Sequence, residues 1–246
     1  IKLLFMTNNI IFIANWKMYG NKNNINGIDK VVNFLKKNKK KKFKVIYCPP
    51  YTLLSKLKKK FSKTRVLLGA QNCHHEINYG PYTGSINAKL LKNEEVKYII
   101  IGHSENRSSG DTDYIINQKI KSAIRENLNV IFCVGETLEE RKKKITSKVI
   151  KKQILNGLRN IEAYNKIIIS YEPRWSIGTG KILHKEDLEK VISLIIKILS
   201  SLKKNAKFKI IYGGSVNKSN IHILRKIQGV DGFLIGGASL KAQYFY

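Results

Sequence analysis

Eight short apolar runs punctuate the chain. They are IIFIANW (10–16), FKVIYCP (43–49), RVLLGAQ (65–71), YIIIGHS (98–104), NVIFCVGE (129–136), KIIISYEP (166–173), FKIIYGG (208–214) and GFLIGGASL (232–240). Within each, the Val, Ile, Leu, Phe and Tyr positions are continuous rather than alternating. A strand with one wet face alternates; a continuous run is buried on both faces, as in a parallel sheet. Between the runs the period lengthens to that of a helix. In DYIINQKIKSAIREN (113–127), Ile115, Ile116, Ile120 and Ile124 fall on one predicted stripe. KEDLEKVISLIIKILSSL (185–202) opens with Glu186, Asp187 and Glu189, the sign of charge a helix N-terminus favours. Strand–helix alternation requires parallel strands joined by crossovers. Eight such units in 246 residues predict an α/β fold, a single (β/α)8 barrel over 1–246 without linker or second domain. The competing architecture is an open doubly wound sheet, and the missing G-x-G-x-x-G after the first run argues against it.

Composition adds charge to this picture. Lys and Arg number 46 against 17 Asp and Glu, a formal net charge of +29. Such a balance fits nucleic-acid or anionic-membrane binding, or else drift towards Lys, Asn and Ile on solvated helix faces and ends. The basic runs 36–44, 56–63 and 140–144 carry no aromatics spaced to stack bases and no nucleic-acid motif. Drift is the preferred reading, with no specific nucleic-acid partner. No apolar run approaches the ~20 residues of a membrane span, so no membrane partner is expected. Cys48, Cys73 and Cys133 lack C-x-x-C spacing. They read as buried reduced thiols rather than a disulfide or metal framework.

Candidate chemistry collects at the ends of the runs. The first ends in Asn15, Trp16 and Lys17, the fourth in Gly102, His103, Ser104 and Glu105, the sixth in Tyr171, Glu172 and Pro173. The seventh and eighth end in Gly213-Gly214-Ser215 and Gly236-Gly237. In a parallel barrel these ends converge on one rim, where barrel enzymes keep their active sites. Glu172 is either a general base or a strand-end carboxylate held by a neighbouring helix. His103 is either an acid facing a developing oxyanion or a satisfied core histidine. Lys17, oriented by Asn15, offers positive charge to an anionic substrate. The glycine pairs are either turns or backbone N–H cradles for a phosphate. The adjacent His74 and His75, placed on a strand, point opposite ways and make a poor chelate. His184 and His222 read as helix-start or helix-surface residues.

Taken together, ANWKMYG, GAQNC, GPYTG, IIGHSENR, CVGETLEER, YEPRWSIGTGK, YGGSV and FLIGGASL resemble, in order and spacing, the triosephosphate isomerase family over residues 10–242. That resemblance implies a TIM barrel and interconversion of dihydroxyacetone phosphate with D-glyceraldehyde 3-phosphate. The setting is glycolysis, gluconeogenesis or plastid triose-phosphate metabolism, without cofactor or metal. It implies Glu172 as the base that shuttles the proton through an enediolate, neutral His103 polarising the carbonyl, and Lys17 stabilising charge. It further implies substrate binding by Asn15, Lys17 and the backbone of Gly178, Ser215, Gly236 and Gly237. PRWSIGTGK (173–181) is implied to be a lid that excludes water, with 173–175 as its first hinge.

The resemblance also implies a homodimer in which Thr83, on the segment 80–85, completes the partner's site. Two departures bear on this: Ser85 and Asn106 stand where the family pairs an acid with an arginine across the interface, so a weakened dimer is expected. A third departure is Arg174, where the family carries a small or branched apolar residue. It either keeps its head in water over an apolar stem contact, or engages one lid state through an acidic neighbour. The chain begins at Ile1, with IKLLF ahead of Met6 and a pI near 10.0. This leads to the expectation of a processed organellar form, the plastid ahead of the cytosol, the rival being a cytosolic enzyme starting at Met6.

Overall fold

The computed structural model describes residues 10–40, 42–179, 183–204 and 206–242. The segment 1–9, on which the leader reading rests, lies outside the described residues, as do Gly180 and Lys181 of the lid. The eight predicted runs become eight strands: β1 Ile10–Asn15, β2 Phe43–Cys48, β3 Val66–Ala70, β4 Tyr98–Ile101, β5 Asn129–Val134, β6 Ile167–Tyr171, β7 Lys209–Tyr212 and β8 Gly232–Ile235. All are parallel, each pairs with the next, and β8 pairs back onto β1, closing the barrel.

The continuous apolar runs are explained by two separate cores. Ile11, Ile13, Ile46, Ile100, Ile131 and Ile211 fill the barrel interior. The intervening strand residues, such as Ala14, Val45, Tyr47, Ile99, Ile101 and Phe132, face the surrounding helices. Apart from strand-start residues such as Lys44 and Lys209, both faces of the strands are therefore dry, and alternation has no polar side to report.

The helices are α1 Lys22–Asn26, α2 Ile28–Lys37, α3 Leu54–Phe61, α4 Ala88–Asn93, α5 Ser104–Ser108, α6 Asp113–Arg125, α7 Leu138–Lys142, α8 Thr146–Gly157, α9 Lys185–Leu202 and α10 Ile221–Leu224. His184 is the residue before α9 and His222 lies on the exposed side of α10. The predicted stripe of α6 is displaced. Ile116 and Ile120 are buried, but Ile115 and Ile124 only flank the contact face, which takes in Asn117, Lys119 and Ala123 instead. A lysine sits there because its Nζ reaches Asp111 Oδ1 and Oδ2 at 2.8 and 2.7 Å and Asn72 Oδ1 at 3.1 Å. The three cysteines are free and buried. Burial pushes the thiol of Cys73 up to about 12 and raises Cys48 and Cys133 above their usual range, Cys133 also feeling the charge of Glu172. Among the described residues no helix is long and apolar enough to cross a membrane.

Candidate active site

A parallel barrel brings every strand's C-terminal end to one rim, and the side chains singled out in the sequence meet there. Asn15 closes β1 and is buried. Its Oδ1 accepts the Lys17 backbone N–H at 3.1 Å. Lys17 has φ 49°, a left-handed conformation uncommon for a residue with a Cβ. Asn15 thus holds the turn rather than the ammonium. The Lys17 carbonyl is tied down in turn, accepting from Gln71 Nε2 at 3.0 Å. Lys17 Nζ lies 2.7 Å from Glu105 Oε1.

His103 ends the β4 segment as the N-cap of α5, and its Nδ1 accepts the Glu105 backbone N–H at 3.2 Å. A ring nitrogen that accepts carries no proton, so this bond places the hydrogen of a neutral imidazole on Nε2. That atom faces Glu172 Oε2 at 3.8 Å. Glu172 follows β6 and is only 2 % exposed. Its backbone N–H donates to Val134 O at 2.8 Å, and its Oε1 accepts from Ser170 Oγ at 3.4 Å. Oε2 is fully buried without a hydrogen-bond partner among the described residues. Gly213 permits this placement: a Cβ there would sit 2.6 Å from Glu172 Cγ and 2.8 Å from Ser170 Oγ.

Tyr171 and Trp175, on either side of Glu172, are anchored on a carboxylate that sequence reading passed over. Glu136 is fully buried. It accepts from Tyr171 OH at 3.3 and 3.2 Å and from Trp175 Nε1 at 3.3 Å. Arg141 Nη1 stands 3.6 Å away, with its other nitrogen 2.7 Å from Asp187 and its guanidinium 5.0 Å above the Trp175 ring. Burial, then the Glu136 charge, raises the Tyr171 phenol well above its usual range. One signal for Glu136 was present: Thr137 and Glu140 form a reciprocal capping box immediately after it, so the residue sits at a fixed helix entry. Downstream, Ser176 Oγ contacts Tyr212 OH at 3.4 Å. Ser215 donates its backbone N–H to Ser176 Oγ at 3.2 Å and its hydroxyl to Ser176 O at 2.7 Å. The Ser215 N–H is thus already engaged in this conformation. Gly178 has φ +72° with open space around it, and a Cβ on Gly237 would likewise meet nothing.

Two expectations are corrected. His74 and His75 do not diverge: they lie on a loop beyond β3, and their rings stack with centroids 4.4 Å apart. Among the described residues no acid pairs with Arg174; its Nη2 donates to Ser108 Oγ at 2.6 Å. Thr83 is exposed on its turn, and the ring of Tyr82 beside it lies 4.8 Å from that of His74.

Comparison with known proteins settles the family. The triosephosphate isomerase family model matches residues 10–246. The chain belongs to the triosephosphate isomerase family. It is similar to the triosephosphate isomerase of Dictyoglomus thermophilum, 44% identical over 242 residues, and to that of Alkaliphilus oremlandii, 42% identical over 241, each match covering 96% of both chains. The crystal structure of triosephosphate isomerase from Bartonella henselae matches with a TM-score of 0.88 at 37% identity, covering 96% of both chains. The activity is interconversion of triose phosphates, dihydroxyacetone phosphate and D-glyceraldehyde 3-phosphate, a step of glycolysis.

Proposed function

We propose that Glu172 is the base that carries the proton between the two substrate carbons, with His103 as its electrophilic partner. One observation supports this above the others: the orphaned Glu172 Oε2, buried opposite His103 Nε2 at 3.8 Å. A buried carboxylate oxygen without a partner is costly in a merely structural role and useful in one that accepts a proton from carbon. Nε2–H is a neutral donor aimed at the same space, suited to an oxygen that gains charge as the enediolate forms. Lys17 supplies the cation. Its charge is paired with Glu105 at 2.7 Å, and an anionic substrate would share the ammonium or take it over. Asn15 binds through the turn it holds. Gly178, Ser215, Gly236 and Gly237 offer backbone N–H groups to the phosphate, Ser215 after releasing Ser176. The lid then shuts water from the enediolate.

We also propose that the chain works as a homodimer. Met18 is 96% exposed and Tyr19 71%, directly after Lys17, with Tyr79 and Tyr82 exposed beside Thr83. Met18 and Tyr19 adjoin Lys17 in the chain, and a second copy would bury these exposed groups and bring its own Thr83 to Lys17.

The base assignment is tested by Glu172→Ala in a coupled isomerase assay. Folded protein with kcat lower by at least ~10³-fold is the expected result. Turnover near that of the parent ends the assignment.

A further inference from the structure

We propose that Arg174 is a positioning residue: through Ser108 it ties the lip of β6 to the helix that presents His103, and so fixes the gap between base and imidazole. The proposal rests on the assignment of Glu172 and His103 as the reacting pair.

The links are continuous. Arg174 follows Glu172 by two residues, with Pro173 at φ −60° as a stiff connection. The Arg174 backbone N–H donates to Glu136 O at 3.0 Å, which fixes where its side chain starts. Its guanidinium Nη2 donates to Ser108 Oγ at 2.6 Å. That hydroxyl donates onward to Ser104 O at 3.0 Å. Ser104 is the first residue of α5 and the neighbour of His103. Covalent and hydrogen bonds thus form a chain from Glu172 through Pro173, Arg174, Ser108 and Ser104 to His103, whose ends face each other across the 3.8 Å gap.

This chain matters because β4 and β6 are not neighbours. β5 lies between them, so the strand ladder holds their lips together only indirectly. On its other side α5 is already clamped: Arg107 Nε donates to Gly102 O at 2.8 Å, its Nη1 to Asp113 at 2.8 Å and its Nη2 to Cys133 O at 3.3 Å. Arg107 fastens the helix to the ends of β4 and β5, and Arg174 reaches over β5 to fasten it to β6. A small apolar side chain at position 174 has no donor with which to make this link. A lysine keeps one, though without the planar fork. A guanidinium that only shielded an apolar stem would not be committed to one hydroxyl at 2.6 Å.

The test is a double-mutant cycle. Arg174→Val and Ser108→Ala should each lower kcat by about three- to tenfold, the scale of one partly exposed hydrogen bond, with KM little changed. The double variant should be no slower than the slower single, because both remove the same link. Arg174→Lys should recover most of the loss. Binding of inorganic phosphate should stay at the parent value. Binding of a phosphorylated hydroxamate that mimics the enediolate should weaken by the same factor as kcat. Melting temperatures alongside separate this from a folding defect. The proposal is overturned if Ser108→Ala matches the parent, if the two losses multiply, or if phosphate binding weakens in step with kcat. None of these outcomes touches the Glu172→Ala result, so the positioning role and the base assignment fail separately.

Discussion

Replacing Gly213 by alanine is a small change with a calculable target. The new methyl would lie 2.6 Å from Glu172 Cγ, 2.8 Å from Ser170 Oγ and 3.1 Å from Glu172 Oε1. Carbon–carbon contact is comfortable from about 3.5 Å, so the overlap with the Glu172 side chain is about 0.9 Å. Gly213 needs no special backbone conformation, so the effect is steric and falls on Glu172. The side chain has little room to absorb it, buried among Ser170, Cys133 and His103. A displacement near 1 Å of a catalytic group costs about 10²-fold in rate, or about 2.7 kcal/mol of barrier. Overpacking a core costs about 1–3 kcal/mol of stability, a fall in Tm of roughly 2–12 °C for a domain of this size. The assay is steady-state isomerase kinetics with a melting curve and a crystal structure of the variant. The expected result is kcat down by about two orders of magnitude in protein that still folds. If Gly213→Ala keeps kcat within about twofold while its structure shows Glu172 displaced by the predicted distance, placement of this carboxylate is not rate-controlling and the reasoning fails.

Other outcomes follow from the same packing. Glu136→Ala strands the Tyr171 hydroxyl, the Trp175 indole N–H and one side of Arg141, and should cost about 3 kcal/mol in urea denaturation, the low end for a broken buried pair because Arg141 keeps Asp187. Glu136→Gln, which retains an acceptor, should lose clearly less, and equal losses would contradict the contact reading. The buried thiols make stability depend on alkaline pH. Their folded values are raised, so the unfolded chain releases protons first, and stability is intact below the ordinary thiol value of 9.0 and falls as pH rises from there towards about 12 for Cys73. Cys73→Ala should flatten that slope, and thiol reagents at pH 8 should label native protein far more slowly than unfolded protein. For the dimer, sedimentation on dilution should show dissociation with activity per chain falling in step; full activity in a demonstrated monomer would remove Thr83 from the partner's site.

The barrel was legible because its signals are local and repeated. Each run such as Tyr98–Ile101 or Ile167–Tyr171 announces burial on both faces, and eight of them with helical spacers leave little choice of topology. The candidate site residues stand out for a related reason: Asn15, His103 and Glu172 all sit where an apolar run stops. What sequence did not disclose was pairing at a distance. Glu136 looks like one more acid beside a capping motif, and only folding shows it fully buried beneath Tyr171 and Trp175. Lys119 looks like a solvated lysine until Asp111 and Asn72 close around it. Treating the segment at 74–75 as a strand sent two stacked imidazoles in opposite directions. For Arg174 the sequence left open a solvated head or an acidic neighbour, whereas the fold gives its guanidinium a serine hydroxyl.

The closing seam of the barrel has a consequence for the order of events during synthesis. β1 pairs with β2 on one side and with β8 on the other, so residues 11–14 wait for residues 232–235. A ribosome has made β1 through β7 before that partner exists. Until then the growing sheet has two raw edges, each with a row of unsatisfied backbone groups beside apolar side chains. Such an edge pairs readily with another nascent chain, and loop closure over more than two hundred residues is slow. The last strand to leave the ribosome is thus the one that makes the molecule safe to release, and substitutions in Gly232–Ile235 should show first as loss of soluble yield rather than as loss of turnover in the protein that survives.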